Sequence, residues 1–380
     1  MRGAPPFAPA ECALHHGAPS RQPAIPRCYS RIVSSPSPGL SQDTQLIRIP
    51  FVRLVECLRS ALLRLGFEAD DAELSARLFA ETTRDGVYTH GVRRFSRMAA
   101  TVRNGSINPT ARPTRVAGFG ALERWDGQLG PGNVNAWRSM QRAIELASQF
   151  GIGCVALANT NHWMRGGSYG WQAADARMIG ICWTNTMPNL PPWGGTTPTL
   201  GNNPLVLAVP RSSGALVLDI AMSQFSYGAL EAYRLRGEPL PVIGGFDAEG
   251  QFTTDPGAIE TTKRAVPIGY WKGAGLSLML DLIGALLSGG KLTAEIPADS
   301  LRETGVSQVF VAIGSDERFG RVADAAAEDA IRFLRSSAVA GAAQVRYPGE
   351  QTVAIRAANM QHGIPVERAL WSELEQMATG

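Results

Sequence analysis

From Pro50 onward the chain switches between two hydrophobic periods. Leu54, Leu58, Leu62 and Leu65 recur at spacings of four, four and three, which puts them on one face of a helix that Gly66 can end. A second helix follows, with Asp70 or Asp71 as its cap and Leu74 and Leu78 on its inner face, until Asp85-Gly86 breaks the period. Trp137, Met140, Ile144 and Ala147 predict a further helix closed by Gly151. The pattern then changes to short, nearly continuous apolar runs at residues 154–157, 179–183, 205–209 and 216–220, bounded by Gly, Pro or Asn. Such runs suit strands buried on both faces. Residues 169–177 supply a crossover helix between the first two runs. A long helix at 274–287, a strand at 309–313 and a helix at 323–335 complete an α/β chain without an internal repeat.

Residues 1–46 stand outside this pattern. They hold eight prolines and scattered serines with almost no apolar periodicity, a composition that cannot offset the entropy of ordering the chain, so disorder is expected there. The segment bears arginines and few acids, as a transit peptide does, but a start codon placed too far upstream is the simpler explanation.

Composition narrows the function. At 380 residues and 44% hydrophobic content the chain can bury a core of two to three domains. Of its 36 basic and 33 acidic residues, four arginines and two acids lie in residues 1–46, which leaves 32 against 31 elsewhere. That balance gives no electrostatic footprint for nucleic acid or an anionic membrane. The five cysteines (Cys12, Cys28, Cys57, Cys154 and Cys182) form no C-x-x-C pair, which fits a reducing cytoplasm. No apolar run reaches the roughly 18 residues that span a bilayer, and residues 275–287, interrupted by Ser277 and Asp281, read as a buried helix.

Neither G-x-G-x-x-G nor G-x-x-x-x-G-K-[ST] occurs after a strand, and H-E-x-x-H is missing too. Three scattered histidines beyond the tail support no metal site. What remains is polar company around two of them. His90 precedes Arg94 by four residues; on a helix the imidazole and guanidinium share a face. That pair suits reduction of a 2-keto acid, Arg holding the carboxylate through parallel hydrogen bonds and His giving a proton to the forming alkoxide. A plain helix end, where His and Arg favour the dipole, reads the same way. The glycine-rich stretch from 161 to 210 reads as part of a binding site, although His162 within it also fits a core histidine bonded to backbone. Asp219 ends an apolar strand, as a cap or as a partner for a histidine or a cofactor hydroxyl. Lys272 opens the long helix, where phosphates can meet both its ammonium and the helix amides.

GVYTHGVRRF, ANTNHWMRGGSYGWQAA, IGICWTN, PPWGG, LDIAMSQFSYG, LPVIGGFDAEG and PIGYWKGAG, in that order from about Ile47 to the C-terminus, resemble the malate/L-lactate dehydrogenase family of NAD(P)-dependent oxidoreductases. The resemblance implies a non-Rossmann α/β fold. Its central mixed-sheet domain is joined by a helical domain built from N- and C-terminal segments. Applied to this chain, that gives a helical substrate segment over 47–115, an α/β region over 116–315 and a helical C-terminal segment over 316–380. It implies hydride transfer between NADH, or NADPH, and a small 2-keto acid, with a sugar-derived acid favoured over malate, lactate, ureidoglycolate or a cyclic imino acid. It also implies a homodimer in the cytoplasm, with neither nucleic acid nor membrane as partner. Carried over by motif, the proton donor falls on His90, a substrate arginine on Arg94 and a second active-site histidine on His162. The cofactor segments fall on Ala215, Leu216, Val217, Leu218, Asp219, Ile220 and Ala221, on Trp271 and Lys272, and on Gly349 and Glu350. A family member that it resembles has a histidine between that glycine and glutamate, which YPGEQT lacks. An inactive nucleotide-binding relative is the alternative outside enzymes.

Overall fold

A computed structural model of the chain describes residues 45–314, 317–338 and 344–380. The disorder expected of residues 1–46 falls outside these, except at Gln45 and Leu46. Along the chain run β1 (Leu46–Ile49), α1 (Phe51–Arg64), α2 (Ala69–Arg84), a 3-10 turn (Tyr88–His90), α3 (Val92–Arg103), β2 (Thr114–Phe119), β3 (Leu122–Asp126), α4 (Gly132–Phe150), β4 (Ile152–Asn161), α5 (Gly167–Asp175) and β5 (Ile179–Thr184). They continue with β6 (Pro188–Leu190), β7 (Leu200–Gly201), β8 (Leu205–Val209), β9 (Leu216–Ile220), α6 (Tyr227–Leu235), β10 (Gly245–Phe246), β11 (Phe252–Thr253), α7 (Pro256–Thr262) and α8 (Trp271–Ser288). The last elements are β12 (Thr304–Ile313), α9 (Glu317–Arg335), α10 (Glu350–His362), β13 (Ile364–Glu367) and α11 (Arg368–Thr379).

Seven strands form a mixed central sheet in the order β2-β3-β4-β12-β5-β8-β9. β3 and β4 run parallel; the other neighbouring pairs are antiparallel. The crossover helix α5 does lead from β4 to β5, but β12 returns to lie between them, which is why β4 and β5 are not hydrogen-bonded neighbours. β12 can take the central position because both of its faces are apolar. Phe310 and Ala312 pack with Met140 of α4 and Tyr169 of α5, while Val309 packs on the opposite face with Leu280 of α8.

The helical layer joins the two ends of the chain. β1 pairs with β13, and Leu54, Leu58 and Leu62 of α1 bury against Phe79 of α2, Phe95 of α3 and Trp371 of α11. Three local readings change. The α2 helix starts at Ala69 after Glu68, so neither Asp70 nor Asp71 caps it; Asp71 instead is buried under Arg112 and Arg138. β2 belongs to the central sheet and straddles the 115/116 division. The α8 helix is apolar all round but buried on one side only, leaving Leu278, Met279, Leu282 and Leu286 exposed. Its 18 residues are, by length and composition alone, apolar enough to cross a membrane. Its inner face nevertheless carries Asp281, which accepts hydrogen bonds from Asn185 and the Thr293 amide, and this ties α8 into the fold.

Candidate active site

The α2 helix ends at Arg84, and the chain turns through Asp85-Gly86 into the 3-10 turn that carries His90. The α3 helix restarts at Val92, whose amide donates to the Thr83 hydroxyl at 3.0 Å. His90 and Arg94 therefore do not share one helix, because the helical path breaks at Gly91. They still act on each other: Arg94 supplies the largest charge acting on the His90 imidazole. Sequence spacing paired the two residues through a shared helix face that the backbone does not provide.

His162 follows the last residue of β4, and its ring stacks on His90 with centroids 5.9 Å apart and planes 16° from parallel. The His162 Nδ1 accepts the Met164 amide proton at 3.0 Å, which assigns the neutral-state proton to Nε2. The His90 Nδ1 faces the Thr89 hydroxyl at 3.0 Å, a partner that can donate or accept by rotating. Burial, reinforced by Arg94, Arg165 and Arg97, pushes the His90 imidazolium down to about 4. Burial, together with the charges of Arg94, His90 and Arg97, also disfavours the charged form of His162. Arg94 is itself lowered to about 10 by burial and by Arg97. Among the described residues neither Arg94 nor Arg97 has an ion-pair partner or a side-chain hydrogen bond.

Asp85, which the sequence offered only as a helix breaker, is the hub beneath this cluster. Its carboxylate accepts from Arg165 Nη1 at 2.7 Å, from Arg356 at 2.7 and 2.9 Å, and from Arg84 at 2.8 Å. Burial opposes its ionisation, but the Arg356 hydrogen bonds and the charges of Arg165 and Arg84 hold it down to about 2. The Arg356 guanidinium lies 4.5 Å over the Trp171 ring, so α10 is locked onto α5 through the same group. Among the described residues the buried Arg165 Nε has no hydrogen-bond partner, and the Arg165 charge reaches Asp219 as well as His90.

Asp219 is exposed as a residue, yet protein surrounds its carboxylate closely enough that burial raises its pKa against Arg165 and the Gly167 amide. A carboxylate on the floor of a cleft satisfies both observations. The Gly167 amide donates to it at 2.7 Å, and a Cβ at Gly167 would stand 2.9 Å from the same oxygen, so only glycine leaves that face open. The other segments expected at a cofactor flank the same strand. Val217 of β9 donates to Pro348, bringing Gly349 (φ +92°) against Ala215 and Val217. At the far end Ile268 donates to Met222 at 2.8 Å, which brings Trp271 and Lys272 at the start of α8 beyond Ala221. Glu350 turns away: its carboxylate accepts from Arg335 at 2.5 Å and from the Tyr347 amide at 3.3 Å.

With this cleft in view, comparison with known proteins becomes specific. The family pattern described as malate/L-lactate dehydrogenase matches residues 49–375. The chain belongs to that family. It is similar to the 2,3-diketo-L-gulonate reductase of Citrobacter koseri, 46% identical over 333 residues that cover 87% of this chain and 100% of that protein. The reductase of the same name from Escherichia coli O6:K15:H31 is 45% identical over the same shares. In structure the chain is similar to sulfolactate dehydrogenase from Methanocaldococcus jannaschii, with a TM-score of 0.79 at 26% identity over 87% of this chain and 96% of that one. Malate dehydrogenase from Pyrococcus horikoshii OT3 gives a TM-score of 0.79 at 28% identity over 90% and 97%. Like these relatives, this chain is an oxidoreductase of the reductase and dehydrogenase kind that acts on the CH–OH group of a 2-hydroxy acid or the matching 2-keto acid.

Proposed function

We propose that this protein reduces 2,3-diketo-L-gulonate, or a closely similar sugar-derived 2-keto acid, to the 2-hydroxy acid with NADH, NADPH being the alternative donor. The observation that carries the reading is the cluster of His90, His162 and an arginine, Arg94, which has no ion-pair partner among the described residues. A charge kept unpaired in a crowded cleft is unfavourable unless a ligand anion completes it. The substrate carboxylate is that anion, and Arg94 can hold it through two parallel hydrogen bonds.

The residues along β9 fit a nicotinamide dinucleotide. Asp219 offers an acceptor that Gly167 leaves open, and Lys272 with the first amides of α8 offers donors for phosphate. When bound, the reduced nicotinamide supplies the hydride that reduces C2. The chain supplies the rest. His162, fixed as a donor through Nε2, hydrogen-bonds the C2 oxygen, but a second proton at Nδ1 would break its bond from Met164. His90 has no such bar, because the Thr89 hydroxyl can turn its lone pairs to an Nδ1 proton. A carboxylate on Arg94 offsets the positive field that depresses His90, so the imidazolium forms more readily in the complex and can protonate the developing alkoxide.

The reading extends to a homodimer in the cytoplasm. The exposed leucines of α8 make an apolar face that a second copy can cover, and the unpaired thiols of Cys57, Cys154 and Cys182 suit a reducing compartment. A panel of 2-keto acids, followed by loss of reduced-nicotinamide absorbance, tests the activity. The expected result is fastest turnover with polyhydroxylated acids. No reduction of any 2-keto acid, together with binding of NADH or NADPH in a calorimetric titration, would instead favour an inactive nucleotide-binding relative.

A further inference from the structure

Glu303, half-buried just before β12, is left without a task by the reaction just described. Thr304 pairs with Asn161 across β12 and β4, so Glu303 stands opposite His162, the residue after Asn161. The Leu301 carbonyl accepts from Asn104 at 2.8 Å and from the Ser106 hydroxyl at 3.3 Å. The Thr304 hydroxyl donates to the Ser106 carbonyl at 3.3 Å. These bonds fasten the segment carrying Glu303 to the residues just after α3, the helix that presents Arg94 and Arg97 three residues apart. One carboxylate oxygen, Oε1, accepts the Met187 amide at 3.1 Å. Among the described residues, no ion pair of 4.0 Å or less joins Glu303 to either arginine.

We propose that Glu303 and Arg97 form the subsite for the substrate's carbon chain beyond C2, and that this subsite selects polyhydroxylated 2-keto acids over dicarboxylic ones. The inference rests on the 2-keto acid reading of the cleft and adds the substrate class. A carboxylate beside an anion-binding arginine opposes an anionic substrate unless the substrate brings hydrogen-bond donors. A hydroxyl is the group that satisfies both neighbours, donating to Glu303 while accepting from Arg97. The second carboxylate of a dicarboxylic acid would meet Glu303 as a like charge, and the methyl group of pyruvate would leave both side chains without a partner. Burial raises the Glu303 pKa, while the Met187 amide, Arg94 and Arg97 oppose the rise, in keeping with a desolvated carboxylate awaiting a donor.

Glu303→Gln in the full-length chain separates charge from scaffold, since the amide oxygen can still accept from Met187. Steady-state constants are measured with 2,3-diketo-L-gulonate, oxaloacetate and pyruvate, and thermal melting checks the fold. Losing hydrogen bonds to a charged group should lower kcat/KM for the polyhydroxylated acid roughly ten- to a hundredfold, mainly through KM. Pyruvate should change little, and oxaloacetate should improve relative to both. Equal losses on all three substrates, or unchanged ratios, would overturn the subsite while leaving the reductase reading intact. Wild-type preference for oxaloacetate over the polyhydroxylated acid would overturn both.

Discussion

His90 and His162 stack nearly parallel at 5.9 Å, yet their Nδ1 atoms meet different partners: a rotatable hydroxyl at His90 and a fixed backbone N–H at His162. That difference makes His90 the ring that can change charge. Its pKa lies at about 4 in the folded chain against 6.5 for an ordinary histidine, so between those values the unfolded chain binds more protons. The contribution of His90 to stability is therefore full above pH 6.5 and is lost as pH falls toward 4. His90→Gln should flatten this part of the melting-temperature profile. Identical slopes for the two proteins would contradict the assigned environment.

Arg94→Lys tests the clamp on the carboxylate. A lysine keeps the charge but cannot reproduce a planar fork, so kcat/KM should fall about ten- to a hundredfold. Kinetics like those of the wild type would mean that the carboxylate is held elsewhere.

Asp85 is 2% exposed and serves three arginines. Asp85→Ala leaves Arg165 and Arg356 without their counter-charge, and breaking buried pairs in this way costs about 3–5 kcal/mol. Urea unfolding should register that loss, and Arg165 should lose its hold beside Asp219 and His90. A change below about 1 kcal/mol, ordinary for an exposed ion pair, would contradict the buried hub.

The outer face of α8 gives the oligomer its test. Leu286 is 72% exposed and Leu282 belongs to the same face. Leu282→Glu with Leu286→Glu should turn a dimer into a monomer in sedimentation equilibrium, leaving the far-ultraviolet circular dichroism unchanged. A double variant that remains dimeric would place the interface on another surface.

What the sequence made legible follows from where the forces act. Leu54, Leu58 and Leu62 predicted α1 because period and burial coincide there, and the runs at 179–183 and 205–209 predicted β5 and β8 for the same reason. The short strands β1 and β13 were not legible: they pair across more than three hundred residues, and Leu46 to Ile49 carries no pattern of its own. Among candidate site residues, His90, Arg94 and His162 stood out by chemical type, and the fold brings the two histidines into a stack beside Arg94. Asp85 and Arg356 did not, since an aspartate before a glycine reads as a turn and an arginine on a late helix as surface. Their bond spans 271 positions in sequence. The glycines of 166–170 announced a site, whereas most of their work is packing: a Cβ at Gly170 would stand 2.7 Å from Val206.

The most direct test of the whole account is the turnover number of His90→Ala beside that of His162→Ala, with 2,3-diketo-L-gulonate and NADH at saturation and cofactor affinity checked by calorimetry. Losing the proton donor should lower kcat by about 10²–10⁴ in His90→Ala, with NADH binding unchanged and a smaller loss in His162→Ala. Near-normal turnover in His90→Ala, with the larger loss in His162→Ala, would contradict it.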